Sequence, residues 1–157
     1  MGNARRPTLR RAFSAFAGTE GLAGIEFALL VPVLLMLTVC TVDLGMAAYD
    51  EMQVENAAQA GSEYAAVHGY NASSISNAIT SATTLSGIAA MPAPTEFCGC
   101  PSSTSITSAT CGSTCTDGSM AGTYVTASAT AHYSTMIHYP TLPDTFTFVN
   151  TATARIQ

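Results

Sequence analysis

The sequence contains no lysine, and only 10% of its residues are charged, against 48% hydrophobic residues. So few charges are unusual for a soluble domain and favour a membrane segment or a surface of small polar residues. Four of the five arginines, Arg5, Arg6, Arg10 and Arg11, lie in the first eleven residues, and the next basic side chain is Arg155. Nucleic-acid binding needs a basic patch on the folded part of a protein. The sequence offers none, which excludes that class.

The longest apolar run is Leu22–Val42, and Glu26 is the only charge within it. About twenty such residues suffice to cross the hydrocarbon core as a helix. Pro32 lies inside the run, but membrane helices tolerate proline with a kink. Because arginines precede the run, the positive-inside rule predicts a cytoplasmic N-terminus and an exported C-terminal part. The predicted organisation is a leader over 1–21, a membrane helix over 22–45 and an exported domain over 46–157.

The helical pattern continues beyond the apolar run, without proline, until Gly69, a typical helix stop. We therefore predict one helix over 22–68, whose second half packs on a domain. The predicted packed face consists of Met46, Tyr49, Ala57, Ala60, Tyr64 and Val67. The predicted opposite face consists of Glu51, Glu55, Gln59 and Ser62.

The rest of the chain predicts a small α+β domain. A second helix is expected from Ser73 or Ser74, with a serine cap, to about Leu85, and residues 98–119 are expected to form a loop. Alternating patterns over 124–133 and 146–156 predict two half-buried strands. The predicted fold is α+β: a long N-terminal helix packed on a small antiparallel sheet, with a cysteine-rich loop.

Five cysteines occur, and Cys98, Cys100, Cys111 and Cys115 cluster in the exported part. In an oxidising compartment such a cluster indicates disulfides. Cys98 and Cys100 are too close to bridge comfortably, so each pairs with Cys111 or Cys115, and two patterns remain open. A four-thiolate zinc site is the alternative, but one residue between the first two thiols departs from the usual spacing.

The strongest signal is the segment from Gly21 to Phe27, which places Glu26 inside an apolar helix. A carboxylate there is costly unless it has a partner. A cut between Gly21 and Leu22 would supply one, because it creates a positive amino terminus. Two alternatives are a Glu26 that simply reaches the cytoplasmic surface and an ordinary signal peptide cut near Met46.

These residues resemble a class III prepilin cleavage site, and the continuation from Glu26 to Leu35, with Asp43-Leu44-Gly45 after it, resembles the TadE family of tight-adherence pilus proteins. The cysteine pairs and the C-terminal strands are similar to the family's ending. The resemblance implies a prepilin peptidase acting between Gly21 and Leu22, and a minor pilin or pseudopilin working with other pilus subunits and an inner-membrane assembly platform. It also implies that Glu26 pairs with the amino terminus of an adjacent subunit and sets helix register.

Nothing in the sequence predicts an enzyme, a cofactor or a metal site. His68, His132 and His138 stand at no metal-ligand or catalytic spacing and are expected at the surface. Besides the tight-adherence hypothesis, two others stay open. One is a membrane-anchored periplasmic adhesin or binding module outside any fibre, and the other is a pseudopilin of a general secretion system.

Overall fold

A computed structural model describes residues 22–140 and 143–156, so the predicted leader over 1–21 lies outside the described residues. The element order is α1 (Leu22–His68), α2 (Ala72–Ser81), β1 (Thr95–Pro101), β2 (Ile106–Ser108), β3 (Gly122–Ser134) and β4 (Thr145–Arg155). The strands form one antiparallel sheet in the order β2-β1-β3-β4. The predicted fold class, a long helix with a small antiparallel sheet, is confirmed.

Helix α1 has the predicted bounds, and the reason for its end is visible in the backbone. Gly69 adopts a φ of 78°, a left-handed conformation that glycine reaches without strain. Its N–H donates to the carbonyl of Ala65 at 2.8 Å and so caps the last turn. The contacts divide the chain into a unit up to Val42 and a compact unit from Asp43 to Gln157.

The core of the compact unit lies between the second half of α1, helix α2 and strand β3. The fully buried side chains of this core are small or β-branched: Val54, Ala57, Ala58, Ala65, Ile75, Ile79, Val125, Ala127 and Ala129. Small residues let helix and strand approach closely. A methyl group on Gly61 would lie 2.5 Å from Cγ1 of Ile79 and 3.1 Å from Cβ of Ala127.

The predicted packed face of α1 is wrong in part. Tyr49 is 56% exposed and Val67 is 79% exposed, whereas Ser62, predicted on the opposite face, is buried. The observed buried face runs through Asp43, Val54, Ala57, Ala58, Gly61, Ser62 and Ala65. It is a face of small side chains, and the large apolar ones point away from it. The hydroxyl of Ser62 is satisfied by the carbonyl of Gln59 at 2.8 Å.

Two further predictions need correction. Helix α2 is capped by Asn71, not by a serine, since the Asn71 side chain accepts from the N–H of Ser74 at 3.0 Å, and the helix ends at Ser81 rather than Leu85. The region predicted as a loop over 98–119 contains most of β1 and all of β2. Strand β3 includes the predicted strand over 124–133, and β4 contains the predicted strand over 146–156 except for its last residue, Ile156.

Candidate membrane-anchoring and assembly site

The first half of α1 presents bare apolar surface on all sides. Ile25, Phe27, Leu29 and Leu35 are each between 60% and 71% exposed. Soluble proteins rarely leave such a continuous apolar surface open to water, so it indicates burial in a membrane or against other helices. The helix is long and apolar enough to cross a membrane, and its apolar window is not covered by other described parts of the chain.

Polar side chains in this segment divide into two kinds. The hydroxyls of Thr38 and Thr41 donate to the carbonyls of Leu34 and Leu37, each at 2.8 Å, so they are satisfied within the helix. Glu26 is exposed. No lysine or arginine occurs between Arg11 and Arg155, so the helix itself offers Glu26 no cationic partner. Any cationic partner of Glu26 would therefore come from outside this helix.

The compact unit begins at a buried carboxylate. Asp43 is 3% exposed, and its side chain accepts hydrogen bonds from the hydroxyl of Tyr133 and from the N–H of Met136, the latter at 3.2 Å. The Tyr133 hydroxyl also lies 3.0 Å from the main-chain carbonyl oxygen of Asp43. Hydrogen bonding to Asp43, followed by burial, raises the pKa of Tyr133 to about 12. These contacts fix α1 to the end of β3.

The four clustered cysteines form two disulfides. Cys98 bonds to Cys111 and Cys100 to Cys115, with Cα separations of 5.1 Å and 5.6 Å. This selects one of the two open patterns and excludes the zinc alternative, because a disulfide sulfur is no thiolate ligand. Both bridges join β1 to the segment between β2 and β3.

The histidines lie at the surface, as predicted, and each has a local partner. His68 stacks on Tyr64, with ring centroids 4.2 Å apart. His132 is 3.0 Å from the hydroxyl of Thr147, and His138 is 2.6 Å from the carboxylate of Asp144. Within the described residues, no group of three His, Cys, Asp or Glu side chains is placed to hold a metal ion.

The described residues comprise an exposed apolar helical segment and a small α+β unit with two disulfides. This combination defines a protein with a helix suited to membrane anchoring. Residues 21–63 match the model of the family described as TadE-like protein, so the resemblance is confirmed over this segment. From Gly21 to Glu63 the chain is therefore similar to the TadE-like family. No curated protein and no solved structure matches the chain.

The match ends before α2, the disulfides and the strands. The likeness of the cysteine pairs and the C-terminal strands to the family's ending therefore stays a prediction. Sequence reasoning missed Asp43 and Tyr133 as partners. An acidic residue directly after an apolar run was a usable signal for one of them, but nothing local in the sequence points to the tyrosine.

Proposed function

We propose that this chain is a minor pilin or pseudopilin that assists the assembly of a tight-adherence pilus. The observation that carries the proposal is Gly21 followed, five residues later, by Glu26 at the start of an exposed apolar helix, all within the segment matched by the TadE-like model. The role is structural: the protein associates with other pilus subunits and with an inner-membrane platform, and it performs no catalysis.

In this proposal a prepilin peptidase removes 1–21, the segment 22–45 spans the inner membrane, and 46–157 is exported. Four arginines before the apolar run support the orientation. The hydrogen bond between Tyr133 and Asp43 supports a membrane exit near this point, because it makes Asp43 part of the folded unit.

Glu26 then pairs with the amino terminus of Leu22 on an adjacent subunit. The proposal is supported by charge: cutting after Gly21 creates a cation at the correct end of a helix that has no lysine or arginine of its own. Removal of one member of a buried ion pair costs roughly 3–5 kcal/mol, because the other charge is left in an apolar medium. Such a pair sets the register between neighbouring helices.

The intact mass of the protein from native membranes tests processing. We expect a chain that starts at Leu22. An uncut chain, or a start near Tyr49, would contradict the proposal.

Shearing the cells separates a fibre component from the alternative of an anchored module outside any fibre. A fibre component leaves with the pili, whereas an anchored module stays in the membrane fraction. If the sheared fraction contains pili but the protein is found only in the membrane fraction, the anchored module is favoured.

A further inference from the structure

Strand β4 lies at an edge of the sheet and is eleven residues long, while the strand at the opposite edge, β2, has three. Among the described residues no strand pairs with its outer side. Natural proteins usually protect long edges with lysine, proline or a bulge, because an open edge pairs with other chains. Between Thr145 and Ala154, β4 contains no charged residue and no proline, and its register with β3 is unbroken.

The hydrogen-bond pattern shows which backbone groups face outward. The N–H of Thr135 donates to Asp144 and that of Ile156 to Thr123, at 3.0 Å and 2.9 Å. In an antiparallel ladder, residues that are hydrogen-bonded to the neighbouring strand alternate with residues whose N–H and C=O groups point away from it. Even-numbered residues of β4 therefore bond to β3. The outward groups belong to Thr145, Thr147, Val149, Thr151 and Thr153.

An apolar groove continues the inner face of the sheet beyond this edge. It has a volume of about 300 Å³ and is lined by Leu44, Ala47, Ala48, Glu51, Phe146 and Phe148. Leu44 is 69% exposed, and Phe146 and Phe148 are half-buried. A strand added to β4 would direct every second side chain towards this groove. Glu51 is the charged residue among those that line it.

We propose that the open edge of β4 and this groove bind an extended strand of a different, basic protein by adding it to the sheet. The inference goes beyond the proposed function, which assigns no partner to this surface. Backbone hydrogen bonds supply affinity in this mode, and alternate side chains supply specificity. An apolar residue of the partner enters the groove and a lysine or arginine approaches Glu51.

Charge favours a basic partner over a second copy of this chain. From Asp43 onward, acidic residues outnumber arginine and lysine by eight to one: Asp43, Asp50, Glu51, Glu55, Glu63, Glu96, Asp117 and Asp144 against Arg155. Two such units repel each other, whereas a basic strand is attracted.

The test uses the full chain in detergent micelles. The probe is a fluorescent palindromic peptide of alternating threonine and valine, as long as β4, with lysines at both ends. Val149→Pro removes an outward N–H without removing a bond to β3. Ser108→Pro is the matched control on the opposite edge, because the N–H of Ser108 also points away from its partner strand.

We expect the lysine-ended peptide to bind the unchanged chain and Ser108→Pro alike, and Val149→Pro roughly tenfold or more weakly. A peptide ending in glutamates should also bind roughly tenfold more weakly. Thr151→Pro replaces Val149→Pro if that variant does not fold.

Equal binding of the peptide to the chain and its edge-proline variants would overturn the proposal, as would equal binding of the glutamate-ended peptide. Sedimentation of the chain without peptide tests whether a second copy binds the edge instead. A dimer that the Val149→Pro substitution dissociates would show that a second copy occupies the edge and would overturn the proposal. Because these measurements use purified protein, they are independent of processing and pilus assembly.

Discussion

Tyr133 connects two parts of the chain that are ninety residues apart in sequence, since its hydroxyl donates to Asp43 at the start of the compact unit. The tyrosine is buried, with 6% of its surface exposed, and its ring lies 6.4 Å from that of Phe148. Replacing the hydroxyl by hydrogen leaves the ring in place. The substitution Tyr133→Phe therefore isolates the hydrogen bond from the packing.

We expect Tyr133→Phe to lower the free energy of unfolding by about 1.5–3 kcal/mol, the range for a hydrogen bond to a charged group. The measurement is thermal unfolding of the full chain in detergent, followed by circular dichroism. A melting temperature equal to that of the unchanged chain would show that the hydrogen bond contributes nothing to stability.

The same substitution has a pH signature. The pKa of Tyr133 is raised to about 12 by its hydrogen bond to Asp43, whereas an unfolded tyrosine titrates near 10. The unfolded chain thus loses this proton first, so the contribution is fully present below about pH 10 and is lost as the pH rises towards about 12. Tyr133→Phe should show a shallower loss of stability in this window, and equal slopes for the two proteins would contradict the assignment.

Gly61 is the point of closest approach in the packing of α1 on α2 and β3. An added methyl group would lie 2.5 Å from Cγ1 of Ile79, which is itself fully buried. We expect Gly61→Ala to destabilise the protein by about 1–3 kcal/mol, as overpacking does. Thermal unfolding measures the change.

Gly45→Ala is the matched control in the same helix, because nothing lies within 4 Å of the position that its methyl group would occupy. That substitution should be neutral or stabilise the helix by up to about 1 kcal/mol. Equal melting temperatures for the two alanine variants would mean that α1 does not approach α2 as closely as described.

The two disulfides hold β1 to a segment that has little apolar side-chain surface of its own. They close loops with sequence separations of 13 and 15 residues. In the chain-entropy model, a loop of this size stabilises the folded state by about 3 kcal/mol.

We expect the double variants Cys98→Ser with Cys111→Ser, and Cys100→Ser with Cys115→Ser, each to lose about this amount. Unfolding under non-reducing conditions is the measurement. The intact mass before and after reduction checks that the remaining bridge has formed. A variant that keeps the original melting temperature would show that its bridge does not stabilise the fold.

Elements governed by local signals could be predicted from the sequence, and elements governed by distant contacts could not. The bounds of α1 follow from an unbroken helical pattern that ends at Gly69. Strands β3 and β4 follow from alternation. Strand β2 was missed because its three residues are held in place by pairing with β1, not by any local pattern.

The buried face of α1 shows the same limit in another way. Large apolar residues such as Met46 and Tyr49 dominate a helical pattern, yet both stay exposed on the compact unit. The face that packs is instead made mostly of alanine, glycine and serine, because small side chains allow α1 to lie close to α2 and β3. Asp43 also lies on that face, and its partner Tyr133, far along the chain, could not be found from local pattern.

At the level of the whole molecule, the chain separates its charges into a basic N-terminal segment and an acidic compact unit, with Glu26 alone in the apolar segment between them. The proposed pairing of Glu26 with an amino terminus makes this one carboxylate responsible for how subunits align. The folded unit begins only at Asp43. Substitution of Glu26 should therefore leave the stability of that unit unchanged and act on assembly alone.

We expect Glu26→Ala and Glu26→Gln both to reduce the protein in the sheared pilus fraction by roughly tenfold or more, because the 3–5 kcal/mol of a broken buried pair exceeds the 1.4 kcal/mol of a tenfold change. Glu26→Gln keeps the shape of the side chain and removes its charge, so it distinguishes ion pairing from packing. Thr38→Ala is the control in the same helix, since its hydroxyl bonds only to Leu34. Pili that retain both Glu26 variants at the normal level, with normal processing, would rule out the register role, because residues 22–42 contain no other charge that could replace Glu26.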